Sequence, residues 1–327
     1  MPRLQNWYTS VQGFTEGLLT SRKRRKLQRQ ERQKKKNPVL DWVEAFLWAA
    51  GVVLIINQYL FQAYQIPSGS MEKTLLINDR IFVNKLVFGP ELLPGIGKLP
   101  GFRQPGRDNV IIFDNPLYLS RGPVFDVTQR ILYMLTLSLV DIDRNKEGQP
   151  RAHFLIKRAM GIGGDRIRIS EGSVWLKPQG IGEWLPEKKF KQLTDAHYVT
   201  QRLLDSQDYV AIHAQAIADA YKTAHITPDP VITKEAQMPV HAYGDQYEWM
   251  GVRDRTLYAI YPEQESIRND WREFELGWYI PKGWVFPMGD NRDNSKDGRY
   301  FGPIRIRSVL GKAMFIYWPI ERIGPIR

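Results

Sequence analysis

The sequence predicts a mainly β protein: an antiparallel β-sheet body behind one N-terminal transmembrane helix, interrupted by a partly helical insertion. Three observations carry this. Short apolar or β-branched runs, separated by Gly, Pro, Asn and Asp, recur through most of the chain after residue 65. A long apolar stretch with a basic flank precedes them. Residues 193–276 break the strand pattern and carry helical spacing instead.

The first segment, 1–36, reads as a basic tail. It holds eleven Lys/Arg and two Glu, a net +9, so only +2 of the chain's +11 falls on the other 291 residues (327 − 36). That asymmetry argues against a basic nucleic-acid-binding body and for a local electrostatic device. Beside an apolar span, Arg22–Lys26 and Lys34–Lys36 suit anionic lipid headgroups, so membrane lipids are expected partners and nucleic acid is not. Trp7, Val11, Phe14 and Leu18 recur at the spacing of a short interfacial helix, although Gly13 and Gly17 weaken it.

The transmembrane segment falls in 37–64. Trp42–Tyr64 would reach about 34 Å as a helix at ~1.5 Å per residue, enough for a ~30 Å hydrocarbon core. Trp42, Trp48, Tyr59, Phe61 and Tyr64 fit the interfacial belts. The basic stretch is too long for a secretory n-region, and Ser68-Gly69-Ser70 makes a poor cleavage site, so the segment reads as retained. Between Tyr64 and Glu72 there is no Lys or Arg, and the positive-inside rule then puts the N-terminus in the cytoplasm and the body outside.

The β body is expected in two stretches, 65–192 and 277–327. Its strands are Arg80–Phe88, Val110–Phe113, His153–Arg158, Arg166–Ile169, Val174–Leu176, Val285–Met288 and Val309–Tyr317. Ile167–Trp175 has the form of a hairpin with a Gly-containing turn. Arg130–Val140 is apolar but too short to span a membrane, which suits a packed or interfacial element. In the insertion, 193–276, Val210, Ala214, Ile217 and Tyr221 mark one helix face, and Pro228-Asp229-Pro230 ends the pattern.

The chain contains no Cys, which excludes thiol nucleophiles, disulfides and Cys-ligated metals. Its five His are scattered without metal-ligand spacing, so no metal or other cofactor is expected. The chemistry centres on Ile66-Pro67-Ser68-Gly69-Ser70-Met71, directly after the apolar segment. Pro67 and Gly69 make a rigid turn in which Ser70 could serve as a nucleophile, with the Ser68 hydroxyl as a second oxyanion donor. A serine needs a base. Ser70-Met71-Glu72-Lys73 satisfies S-x-x-K, but the S-x-N and K-T-G partners of that motif are absent. Nothing near His153 is placed to orient it. Lys157 ends the run Phe154-Leu155-Ile156, where desolvation would lower an amine pKa; a strand-end lysine reaching for solvent is its ordinary alternative.

Three ordered blocks resemble the bacterial type I signal peptidases, membrane-bound serine proteases with a Ser/Lys dyad. They are Pro67–Leu75, then Lys157-Arg158-Ala159-Met160-Gly161-Ile162-Gly163-Gly164-Asp165, then Gly289-Asp290-Asn291-Arg292-Asp293-Asn294-Ser295-Lys296-Asp297-Gly298-Arg299. Pro105–Phe113 resembles the family's lead into the core, and the similarity covers 64–90, 105–115, 153–176 and 280–317. Lys73 and Gly163 stand where the family has Pro, and Gly298 where it has Ser.

The resemblance implies Ser70 as nucleophile and Lys157 as general base, with Ser68 and the Ser70 N–H as oxyanion hole. It implies Ser295 as the serine that orients the lysine, Asp297 and Arg299 as an ion pair behind the site, and Asp290 beside it. It further implies an enzyme of the bacterial inner membrane that cuts signal peptides from preproteins after Ala-x-Ala. Ile66, Pro67 and Ile156 would then line the substrate site, core packing being the equal alternative for the two isoleucines. Two rivals fit less well. A self-cleaving Ser/Lys repressor protease needs a helix-turn-helix and no membrane span, and an inactive interaction scaffold would not need Ser70, Lys157 and Ser295 together.

Overall fold

The computed structural model describes residues 37–93, 96–241 and 244–326, together with 16–17, 20–21, 23–24 and 26. Trp7, Val11, Phe14 and Leu18 of the expected interfacial helix and the cluster Lys34–Lys36 lie outside the described residues. The chain divides into two compact units, Met1–Val53 and Leu54–Arg327.

Helix α1 runs Pro38–Tyr59. Pro38 suits a first-turn position whose N–H would be unpaired anyway, and the Asn37 side chain accepts the Val39 N–H at 3.0 Å. The helix is long and apolar enough to cross a membrane. Trp42, Phe46 and Trp48 are exposed on it. Its end differs from the expected span. The chain leaves the helix after Tyr59, and Phe61–Gln65 form strand β1 instead. The cause is pairing: β1 finds an antiparallel partner in β2, Arg80–Asn84, while Gln58 and Tyr59 donate side-chain hydrogen bonds to the Glu91 and Leu92 carbonyls.

The small ribbon β3 (Glu91–Leu93) and β4 (Ile96–Lys98) follows, then β5, Val110–Asp114. Helix α2, Pro123–Leu135, starts on a proline at its N-terminus. The apolar stretch 130–140 thus divides between the end of α2 and the turn after it. Strand β6 is Phe154–Ile162, and β7 (Arg166–Ser170) and β8 (Ser173–Lys177) make the expected hairpin. Glu171 and Gly172 at its tip both have positive φ, as a two-residue turn matched to strand twist requires. The remaining strands are β9 (Leu185–Pro186), β10 (Trp278–Tyr279), β11 (Trp284–Met288), β12 (Ile304–Arg305), β13 (Val309–Trp318) and β14 (Gly324–Pro325).

The main sheet is antiparallel in the order β1-β2-β13-β5-β6-β11-β12, with β14 on β13; a second sheet runs β10-β7-β8-β9. Helices α3 (Glu187–Thr194), α4 (Ser206–Thr223), α5 (Pro230–Ala236), α6 (Gln246–Ile260) and α7 (Glu265–Leu276) occupy most of 187–276. On α4 the buried face is Tyr209, Ile212, Ala216 and Ala220 with Ala211 and Ala214, whereas Val210 is exposed. The expected face was displaced by one residue, because alanines pack as readily as larger residues where α4 lies against α5 and α6.

One feature of the main sheet positions the site. Phe154–Lys157 of β6 pair only with β5; β11 joins on the other side from Arg158 onward. Among the described residues the first half of β6 therefore offers an edge without a strand partner, and β1, at one end of the sheet order, offers a second.

Candidate active site

Ser70 lies in a single 3₁₀ turn, Gly69–Met71, that follows β1. It is held from several directions. Its carbonyl accepts the Asn291 N–H at 3.1 Å, and the Asn291 side chain donates to the Gly69 carbonyl at 3.1 Å and to Glu72 at 2.9 Å. Met71 and Leu75 anchor the turn in a core cluster with Ile66, Ile81, Val110 and Ile156. The backbone around the serine is thus fixed by packing and hydrogen bonds, as a reacting group requires.

Lys157 reaches Ser70 from β6, with Nζ 2.6 Å from Oγ and 3.0 Å from the Ile156 carbonyl. Both side chains are buried. Burial lowers the amine to a pKa of about 8; Asp297 and Asp290 pull it upward and Arg299 pushes it down. A low pKa alone does not single out this lysine. Burial takes Lys85 to about 7, but its charged neighbours are Arg130, Glu91 and Asp114, and it has no contact with a serine among the described residues. Lys73 is exposed at φ 80° and makes no contact with Ser70. The geometry brings Lys157 to the serine and leaves Lys73 outside.

Arg158, next along β6, must face the opposite way from Lys157. Its guanidinium grips Asp290 at 2.9 and 2.7 Å, with both side chains almost fully buried. Thr74 joins them, donating to Asp290 at 2.5 Å. This pairing ties β6, the serine turn and the loop 289–299 into one unit.

Within that loop, Asp297 accepts the Gly289 N–H at 2.9 Å, the Ser295 hydroxyl at 2.8 Å and the Arg299 Nε at 2.9 Å. Burial raises the Asp297 carboxyl, but the Arg299 charge and these hydrogen bonds outweigh it and hold the group below the usual carboxylate range. The Ser295 hydroxyl bonds to Asp297, whereas the Lys157 amine bonds to Ser70 and the Ile156 carbonyl and feels Asp297 through its charge. Gly289 allows the close approach of these parts. A Cβ there would lie 2.2 Å from Ser295 Oγ and 2.5 Å from the Ser70 carbonyl oxygen.

Pro67 and Ser68 are exposed, whereas Ile66 and Ile156 are buried in the core cluster. The Ile66 N–H and C=O are already paired, with Asp79 and Asn78. His153 meets Tyr118 and Phe154 in tilted ring contacts, away from any carboxylate hydrogen bond among the described residues. Asp205, Asp208 and His241 bring donor atoms within 4.8 Å of one another. Those groups satisfy each other: Asp205 and Asp208 form the capping box of α4, and Asp208 accepts His241 N–H and Nδ1.

Motif reading alone misses a brace from the start of the insertion. Gln201 pairs in parallel with Asn291, donating to the Asp290 carbonyl at 2.8 Å and accepting the Arg292 N–H at 3.0 Å. Asp293 takes Arg202 Nε at 3.0 Å and the Leu204 N–H at 3.0 Å. Tyr198 lies under the Arg158 guanidinium, 4.4 Å from its ring centroid. No periodicity marks these residues in sequence, since the partners of Gln201 and Arg202 lie about ninety residues away and that of Tyr198 about forty.

Residues 39–318 match the family described as signal peptidase, peptidase S26. Signal peptidase I of Haemophilus influenzae is 24% identical over 285 residues, covering 86% of this chain and 70% of the relative. Signal peptidase I of Aquifex aeolicus is 26% identical over 281 residues, 84% of this chain and 82% of the relative. That of Pseudomonas aeruginosa is 23% identical over 306 residues, 88% and 77%.

Proposed function

The chain belongs to the signal peptidase family, peptidase S26, and from that membership we propose a division of labour among its residues. The protein is a membrane-bound serine protease that removes signal peptides from preproteins. Ser70 is the nucleophile and Lys157 its general base; the single observation that carries this is the buried 2.6 Å approach of Nζ to Oγ.

In the neutral form the amine takes the Ser70 proton as Oγ attacks the scissile carbonyl. The Ser70 N–H and the Ser68 hydroxyl at the mouth of the turn stabilise the oxyanion. Lys157 passes its proton to the departing amine, and a water activated by the same lysine then hydrolyses the acyl-enzyme. With a pKa of about 8, about one amine in ten is neutral at pH 7. Ser295, Asp297 and Arg299 act as positioning residues, holding charge and backbone around the lysine.

The substrate lies extended between the free edges of β1 and Phe154–Lys157, with cleavage after Ala-x-Ala. Pro67 borders this cleft. Ile66 and Ile156 act from beneath, as the packed floor of a small apolar site. The protein crosses the bacterial inner membrane once through α1, with the N-terminus cytoplasmic, the body outside and the basic tail on anionic lipid. Residues 65–192 and 277–327 form the catalytic part.

Detergent-purified protein should cut an Ala-x-Ala precursor after the second Ala. Ser70→Ala and Lys157→Met should each lose at least ~10²-fold in rate, the lower end of general-base contributions. Full activity in either folded variant would refute the assignment.

A further inference from the structure

Segment 115–153, between β5 and β6, is not needed to build the Ser70–Lys157 pair, yet it comes against the edge where substrate would lie. Just after β1, Ile66 turns its backbone groups toward Asp79 and Asn78, so its neighbours face the open side. Pro67 has no N–H. The Gln65 N–H is therefore the outward donor nearest Ser70 on that edge, and it donates to the Tyr133 hydroxyl of α2 at 3.3 Å.

The Tyr133 ring continues the obstruction. Its centroid lies 6.0 Å from that of Tyr64, which in turn meets Phe154 edge-on at 5.6 Å. The lining of a cleft of about 270 Å³ includes Gln65, Pro67 and Phe154 together with Tyr133 and Leu139. Tyr133 is packed against the core cluster beneath Ser70, so it is a fixed wall and not a loose cover.

We propose that Tyr133 is a specificity-determining residue: its ring closes the cleft between β1 and β6, so that the substrate side chain directed there must be small. The hydroxyl takes over the edge N–H that a longer strand pairing would use, which leaves recognition to the few residues next to the scissile bond. This rests on the reading of Ser70 as nucleophile and of the two free edges as the substrate site. Alternation along an extended peptide means that one position, not all, faces the ring.

The test uses the full chain in detergent and a parent Ala-x-Ala peptide, with each of the four residues before the scissile bond changed in turn to Leu. Tyr133→Ala and Tyr133→Phe are compared with the unaltered protein, each checked for an unchanged melting profile. The unaltered enzyme should discriminate against Leu at one position other than the last, and Tyr133→Ala should reduce that discrimination in kcat/KM by about tenfold or more. Tyr133→Phe, which keeps the ring, should retain it. Discrimination unchanged in Tyr133→Ala, or lost equally in Tyr133→Phe, would overturn the ring as selector. Ser70→Ala serves as the control for the parent reading: if it still cleaves the parent peptide, the nucleophile is wrong whatever Tyr133 does.

Discussion

Burying the Lys157 amine costs the folded state stability whenever that amine is charged. Its folded pKa of about 8 lies below the ordinary 10.5, so between those values the unfolded chain binds more protons than the folded one. Stability from this group therefore rises as pH climbs from about 8 to about 10.5, and the penalty is complete below 8. Lys157→Met, which keeps the volume and removes the charge, should melt no lower than the parent at pH 7 while losing cleavage. Asp297 behaves oppositely. It neutralises buried Arg299 and gathers the Gly289 and Ser295 donors, so Asp297→Asn should destabilise by about 3–5 kcal/mol in chemical denaturation. A loss below about 1 kcal/mol would show that water reaches the pair. The candidacy of Ser70 and Lys157 was legible from the turn chemistry, the apolar flank and the family resemblance. The Ser295–Asp297 bond was not, since spacing of two in a loop does not say which way a hydroxyl turns.

The strands of the body follow from their composition, but their ends follow from partners. β6 runs to Ile162, beyond the expected Arg158, because β11 pairs with it there; the mismatch at Phe286/Pro287 is a local irregularity at a residue without an N–H. β2 stops at Asn84, short of Phe88, as the chain turns toward the β3–β4 ribbon. The span was read too far because Phe61–Gln65 are as apolar as a helix end and reveal themselves as strand only through β2. Cutting the insertion at two places separates its roles. Replacing 206–275 by a short Gly/Ser linker should leave peptide cleavage measurable, whereas replacing 193–276 also removes Gln201 and Arg202 from the 289–299 loop and Tyr198 from Arg158. The longer deletion should be at least about tenfold slower if both fold. Equal activity of the two would show that the loop holds its shape unaided.

For the whole molecule, charge and chemistry are separated along the chain: the basic tail precedes α1, and every proposed catalytic group follows it. Protease added to intact spheroplasts should digest the body and spare the first 36 residues; a protected body would reverse the orientation. The family and its three blocks were legible in sequence because the chemistry demands fixed residue types at short range. What joins those blocks, Arg158 to Asp290 and Asn291 to Ser70, spans more than 130 residues and required the fold. In the proposed mechanism the buried contact with Ser70, not sequence proximity, chooses the base. The pH dependence of kcat/KM in the full chain tests it most directly. The rate should rise through an inflection near pH 8 that survives Lys73→Met and disappears from the residual activity of Lys157→Met. An inflection lost in Lys73→Met and kept in Lys157→Met would contradict it.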